Sequence, residues 1–336
     1  MAGNPLGWGT AGKGTLVKQY IRPAYWPFIV SLGWVLTFGM GGAARAEGDE
    51  PPSLADKLEP YIECVNRLSG RALDSRTRYL SWADKSGPTG KEKIVYGLYT
   101  LYDPADCNRN IPAANAAQPH DAALEEAGTA FMSSIMALTP PINEANNYYE
   151  QGDYKDDKMA KGREFHPKLM AAWDSFTAAD TRLRDAIERI DEQVQLETLA
   201  EAEKTEGRKT RYFVLALMAK AKTLVRAEGD GSDKDFDAGK ATQALEAYEV
   251  SIKDLEAYGS ANPGEKAGSI FVSAARSFLK TGKELMRRVR DKTPYSAGEK
   301  MNLNNSLSDW MVEGSPPALI HNYNQLVERF NSGAGI

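Results

Sequence analysis

The sequence predicts an all-α protein, an elongated antiparallel helical bundle with one long disulfide-stapled loop, on three observations. Beyond residue 60, apolar residues recur at alternating spacings of three and four, the signature of helices with one buried stripe. The period-two alternation of half-buried strands is nearly absent after residue 46. Breaks between stripes are short and carry turn chemistry, clearest in Gly229-Asp230-Gly231-Ser232-Asp233 and Ser260-Ala261-Asn262-Pro263-Gly264.

In chain order, the first segment is an export leader. Lys13, Lys18 and Arg22 precede an uncharged run from Pro23 to Ala44, and Ala44-Arg45-Ala46 ends it with small residues at the two positions a signal peptidase reads. Residues 1–46 are therefore expected to be a signal peptide and residues 47–53 an exposed linker, with the body periplasmic. The alternative is retention of residues 23–44 as an inner-membrane anchor, since 22 uncharged residues just span a hydrocarbon core of about 30 Å. Pro27, Gly33, Gly39, Gly41, Gly42 and the acidic, proline-containing stretch from Glu47 to Pro52 favour cleavage after Ala46. No acidic residue precedes Glu47, so either outcome leaves the N-terminus cytoplasmic and exports the body. The cleaved form is expected not to span the membrane.

The formal charge of −5 becomes −9 once the four basic residues of the leader are gone. An acidic body argues against nucleic acid as a partner, because phosphate neutralisation needs clustered Lys and Arg. Hydrophobic content of 42% with 26% charged residues places residues 54–331 among folded chains, read as a single helical-bundle domain followed by a disordered tail at 332–336.

Helical stripes follow in order. The first runs through Tyr61, Val65, Leu68, Ala72, Tyr79 and Trp82, and the second through Leu124, Gly128, Phe131, Ile135, Leu138, Ile142, Ala145 and Tyr149. Pro140 and Pro141 fall inside the second, where a kink or break is expected. The third, through His166, Leu169, Trp173, Phe176, Asp180, Leu183, Ile187, Ile190 and Val194, predicts a helix of about 40 residues. Three amphipathic stretches then carry Phe213, Leu217 and Leu224; Ala241, Leu245, Tyr248, Ile252 and Leu255; and Ala267, Phe271, Ala274, Phe278, Leu285 and Val289. Ser315-Pro316-Pro317 opens a last helix with Leu319, Tyr323, Leu326 and Phe330. Such stripes with short connections predict antiparallel neighbours near the coiled-coil crossing angle.

The one long irregular section is Lys85 to Pro119. It holds Cys107, and Cys64 in the first helix is the only other cysteine. In an oxidising compartment an even count invites pairing, which would staple this section onto the first helix; the alternative is two separate buried thiols.

Motifs for chemistry are sparse. Ser86-Gly87-Pro88-Thr89-Gly90-Lys91-Glu92 lacks the glycine spacing and the preceding strand of a phosphate loop, and reads as a rigid turn. The densest polar cluster runs from Tyr148 to His166. Its carboxylates Glu150, Asp153, Asp156, Asp157 and Glu164 do not follow an EF-hand order, and an inter-helix turn with acids at a helix start accounts for them. Three tyrosines in seven residues, Tyr148, Tyr149 and Tyr154, exceed what such a turn needs. Together with Trp82, Asp153, Asp156, Asp157 and His166 they make the candidate binding surface. His120, His166 and His321 are too far apart for a metal pair, and no serine-centred nucleophile elbow occurs. No catalytic residue, resident metal or cofactor is therefore expected.

Several of these segments carry a resemblance. Tyr61-Ile62-Glu63-Cys64-Val65-Asn66-Arg67, Arg78-Tyr79-Leu80-Ser81-Trp82, Gly87-Pro88-Thr89-Gly90, Cys107, and above all Tyr148 to Asp157 with Lys161-Gly162 and His166, resemble the YiiG-like family of bacterial envelope proteins, a domain of unknown function. The resemblance covers about residues 54–290 and is densest between 61 and 191. It implies an exported, largely helical bacterial protein, in that family often tethered as a lipoprotein. This chain departs there, having no cysteine in its leader. The resemblance also implies that Cys64, Cys107 and the Tyr148 to His166 turn belong to a shared framework. The resulting expectation is a non-enzymatic periplasmic protein that binds a partner protein or cell-wall component; the alternative is a small-ligand or metal-binding protein using the 148–166 turn.

Overall fold

A computed structural model describes residues 53–227, 237–305 and 307–333. The leader, all of the expected linker except Ser53, the turn at 229–233 and most of the C-terminal tail lie outside the described residues. Nine α-helices and no strand occur among those described: α1 (Leu54–Leu80), α2 (Ala105–Ala116), α3 (Ala122–Gln151), α4 (Ala160–Glu206), α5 (Thr210–Arg226), α6 (Ala238–Ala261), α7 (Ser269–Asp291), α8 (Ala297–Leu303) and α9 (Pro316–Asn331). The contacts divide them into two compact units, residues 53–200 and 201–333, each with its own core.

In the first unit, the stripes of α1, α3 and α4 bury their apolar residues as the spacing requires, and Tyr61, Leu68, Tyr79, Phe131, Ile135, Leu169, Trp173, Phe176 and Ile187 lose all or nearly all solvent contact. Ser53 starts α1 with a capping box closed by Asp56. The expected break at Pro140 and Pro141 does not occur. α3 runs through both, because the carbonyls they leave without N–H donors belong to Met136 and Ala137 on the exposed face, where water reaches them. Asp180, on the apolar phase of α4, is buried for a reason: its carboxylate accepts the Ser69 hydroxyl of α1 at 2.5 Å and Arg184 Nε at 2.6 Å. The irregular section contains one helix that the stripes did not predict, α2, held against α1 by the Cys64–Cys107 disulfide and by buried Ile111 and Ala114.

Lys57 is a buried cation of this unit, with its side chain 1% exposed. Its ammonium donates to the Ala117 carbonyl at 2.8 Å and to Glu125 Oε1 at 2.5 Å, and the same carboxylate oxygen meets His120 Nδ1 and the Asp121 N–H. These donors, Lys57 foremost and His120 next, hold the Glu125 carboxyl down at about 2. A carboxyl lowered by folding stabilises above its unfolded pKa, and that contribution fades as pH falls through the folded value. Between pH 4.5 and 2 the stability of this unit should therefore drop more steeply than in Glu125→Gln, as read by urea midpoints across that range. Equal slopes would remove Glu125 from the account.

The second unit packs α5, α6, α7 and α9 around Leu217, Tyr248, Phe271, Phe278, Leu319 and Leu326, all almost inaccessible. Asp237 caps α6, and Ser315 with Pro316 starts α9 as the Ser-Pro-Pro signal predicts. α8 and a 3-10 turn at Asp309–Met311 link α7 to α9 without an amphipathic stripe of their own.

Candidate functional site

The residues expected to form an aromatic surface gather, together with Tyr79, Phe165 and Trp173, around three helix ends in the first unit. Tyr79 and Trp82 lie at the C-terminal end of α1, Tyr148 and Tyr149 at that of α3, and Phe165, His166 and Trp173 in the first turns of α4. The structure brings them together but turns most of them inward. Trp82 and Tyr149 meet edge-on at 4.9 Å between centroids, Tyr148 and Tyr149 at 4.9 Å, Tyr79 and Trp82 at 5.2 Å, and Tyr148 and Phe165 at 5.5 Å. Tyr148, Tyr149 and His166 are buried, Trp82, Tyr154 and Asp157 half-buried, and only Asp153 and Asp156 of the expected set exposed.

Several polar groups in this wall have structural work. His166 Nε2 lies 3.1 Å from the Lys85 carbonyl, which can only accept, so this nitrogen carries the proton and Nδ1 accepts the Tyr79 hydroxyl at 3.0 Å. Both ring nitrogens are spent on tying α1 and the loop after it to α4. Gly87 is fitted to this arrangement: its φ is +110°, and a Cβ would sit 3.3 Å from the imidazole Cγ. Asp157 accepts the Tyr148 hydroxyl at 2.7 Å and the N–H groups of Ala160 and Lys161, which begin α4, and these bonds keep its carboxyl below the usual range. Burial pushes the Tyr79 phenol up to about 12 and raises Tyr148 and Tyr149 further, so all three stay protonated. The Tyr149 hydroxyl lies against that of Tyr79 but completes no hydrogen bond of ordinary geometry, and the indole N–H groups of Trp82 and Trp173 have no partner among the described residues.

The segment that superficially resembles a phosphate loop already holds an anion of its own. The Glu92 carboxylate accepts the N–H of Thr89, the Thr89 hydroxyl at 2.8 Å and the Gly90 N–H at 2.8 Å. Burial opposes its charge, yet these donors bring its carboxyl below the ordinary value. Among the described residues no group of three or more His, Cys, Asp or Glu side chains is placed to hold a metal ion.

One exposed constellation escaped the sequence reading. Between the turn and α2 the chain runs without regular hydrogen bonding, antiparallel to α1. Arg78 Nε donates to the Gly97 carbonyl at 2.7 Å, Arg71 Nε to that of Thr100 at 3.0 Å, and Cys64 closes on Cys107. Cys64, Arg71 and Arg78 are seven residues apart, so they share one stripe of α1, about 10.5 Å between successive members. Three residues of extended chain cover nearly the same distance. That match sets Tyr96, Tyr99 and Tyr102 against the arginines as alternating rungs: Arg78 lies 5.0 Å from the Tyr96 ring and 4.6 Å from Tyr99, and Arg71 lies 4.3 Å from Tyr99 and 5.4 Å from Tyr102. The outer rungs face solvent, Tyr96 at 42% and Tyr102 at 54% exposure. The signal in the sequence was the pairing of a seven-residue Arg spacing with a three-residue Tyr spacing.

Comparison with known proteins agrees with the segments that carry the resemblance. The profile of a family described as "Protein of unknown function (DUF3829)" matches residues 53–332. The chain is 32% identical over 290 residues to the "Uncharacterized protein YiiG" of Escherichia coli (strain K12), an alignment covering 84% of this chain and 80% of that protein. No solved structure matches.

Proposed function

The chain belongs to the DUF3829 family of proteins of unknown function, and we propose that it is an exported, non-enzymatic periplasmic protein that binds a partner protein of the envelope. The observation that carries this reading is the ladder of Tyr96, Arg78, Tyr99, Arg71 and Tyr102. Tyrosine and arginine dominate the residues that carry binding energy at protein interfaces, since they bring large contact area at low conformational cost and polar tips for orientation. Here the arginines fix the rings in place before any partner arrives, and pre-ordering lowers the cost of association. The disulfide supports export, because such bonds persist in oxidising compartments.

The 148–166 turn contributes less to this surface than its composition promised. Tyr148, Tyr149 and His166 support the fold, which leaves Asp153, Asp156 and the edge of Tyr154 as neighbours a partner could use.

Replacing a rung tests the reading. A photocrosslinking amino acid at position 102 should trap one envelope protein in living cells, and the same probe at exposed Asp185 of α4 should not. In a direct binding assay with that protein, Tyr96→Ala with Tyr102→Ala should weaken affinity at least tenfold while leaving helicity unchanged. Undiminished binding by the double variant would sink the proposal.

A further inference from the structure

We infer that the second unit carries a separate interfacial site, in which Met301, Leu307, Trp310 and Met311, flanked by Arg287, Lys292 and Lys300, seat on an anionic phospholipid surface. Single exposed apolar residues are ordinary. Four large ones within eleven residues, exposed by 71%, 82%, 39% and 59% in that order, are not. They are also held outward. Leu303, Asp309 and Val312 of the same stretch point inward and are buried, while the Trp310 ring stacks on His321 at 4.3 Å with its N–H on the Leu307 carbonyl at 3.2 Å. Packing thus fixes the backbone and leaves long, adaptable side chains free, the arrangement suited to the disordered boundary of a bilayer.

Charge decides between lipid and other apolar partners. Residues 53–200 carry 17 basic and 24 acidic side chains, whereas residues 276–300 alone carry eight basic and three acidic. This basic run is tied to the apolar patch. Arg288 of α7 reaches Glu299 of α8 at 2.5 Å and covers the Tyr295 ring at 4.5 Å, and the Tyr295 hydroxyl donates to the Gly314 carbonyl at 3.3 Å, three residues past Met311. Five of the eight cations have ion-pair partners: Arg276 with Glu256, Lys280 with Glu284, Lys283 with Glu249, Arg288 with Glu299 and Arg290 with Asp291. The other three, Arg287, Lys292 and Lys300, are exposed and form no ion pair among the described residues. Lys292 ends α7 with a left-handed φ of +51°, directing the chain into the segment that bears the patch. An exposed indole with exposed apolar neighbours, and three exposed cations without ion pairs on the adjoining α7–α8 segment, match the chemistry of an anionic membrane surface. This docking is peripheral: no helix among the described residues is long and apolar enough to cross a membrane.

The test uses the chain from residue 47 to 336, which contains every described element and omits the apolar run at 23–44 that would bind lipid by itself. Vesicles of phosphatidylcholine with one-third phosphatidylglycerol should retain it at least tenfold better than pure phosphatidylcholine, with the difference collapsing in 0.5 M salt. Arg287→Gln, Lys292→Gln and Lys300→Gln together should cost on the order of 100-fold in partitioning, from the contribution each cation makes near such a surface. Leu307→Ser with Met311→Ser should cost at least tenfold with unchanged helicity, since both side chains are exposed. Lipids brominated along the acyl chain should quench part of the tryptophan emission in the wild type and not in Trp310→Phe. Equal binding to neutral vesicles, wild-type binding by the Leu307→Ser, Met311→Ser variant, or absence of vesicle binding would each overturn the inference. A self-association lost in that variant, without vesicle binding, would assign the patch to a second copy of the chain instead.

Discussion

Replacing Cys64 and Cys107 by serine should lower the stability of the first unit by about 4 kcal/mol. The bridge spans 43 residues with Cα atoms 5.5 Å apart, so it removes from the unfolded chain most of the freedom of a long loop. That freedom matters here because the enclosed segment has few other anchors. Between residues 81 and 116 the buried apolar side chains are Ala83, Pro88, Leu98, Cys107, Ile111 and Ala114, and the remaining ties to α1 include the Arg78 and Arg71 bonds to Gly97 and Thr100, the tyrosine rungs, the Arg67–Asp106 ion pair and the Tyr61 bond to Asn115. With m no larger than about 3 kcal/mol per molar urea, the midpoint should fall by at least about 1 M. Amides of residues 94–116 should also exchange faster than those of α3 and α4, since the segment opens without the bundle unfolding. An unchanged midpoint with unchanged exchange would show that packing alone holds α2. The same experiment bears on the proposed function, because a loosened segment no longer presents its rungs in a fixed order.

What could be read from the sequence depended on how each residue earns its place. Stripes such as Leu169, Trp173, Phe176 and Ile187 repeat at the helical period because one face must leave water, and burial follows from the pattern itself. α2 gave no such pattern. Its helix lies between Pro104 and Pro119, contains Pro112 and buries three side chains, so its conformation is set by neighbours rather than by its own periodicity. The aromatic turn failed in the opposite sense: tyrosine suits both interiors and surfaces, and only the convergence of three helix ends decides that Tyr148 and Tyr149 face inward while Tyr96 and Tyr102 face out. Asp180 and Lys57 show a further limit. Their burial is tolerable only because Ser69 and Arg184, or Ala117 and Glu125, stand opposite, and spacing along one segment does not reveal a partner on another. The Tyr96, Tyr99, Tyr102 spacing has a period of three, which belongs to extended chain without internal hydrogen bonds and lies outside the two periods that mark helices and strands.

Gly128→Val should destabilise the first unit by about 3 kcal/mol, at the upper end of the cost of overpacking a core. A Cβ at residue 128 of α3 would stand 2.5 Å from Cε1 of Tyr61 and 3.2 Å from Cγ2 of Ile111, so it would press on α1 and α2 together. Tyr61 has no room to yield, being wholly buried with its hydroxyl donating to Asn115 Oδ1 at 2.6 Å, and turning it aside would also forfeit that bond. Ile111 is the softer neighbour, but α2 is fastened to α1 four residues away at Cys107. The two perturbations should therefore couple. In the Cys64→Ser, Cys107→Ser background α2 is free to move off α3, and the valine should cost about 1 kcal/mol less than in the bridged protein, a non-additivity that a double-mutant cycle on urea midpoints resolves. Strict additivity would mean that the strain falls on Tyr61 alone and that α2 is positioned independently of its disulfide. A larger penalty without the bridge would mean that α2 packs more tightly on α3 once released, which would also contradict the loop-closure account of the cysteine variant.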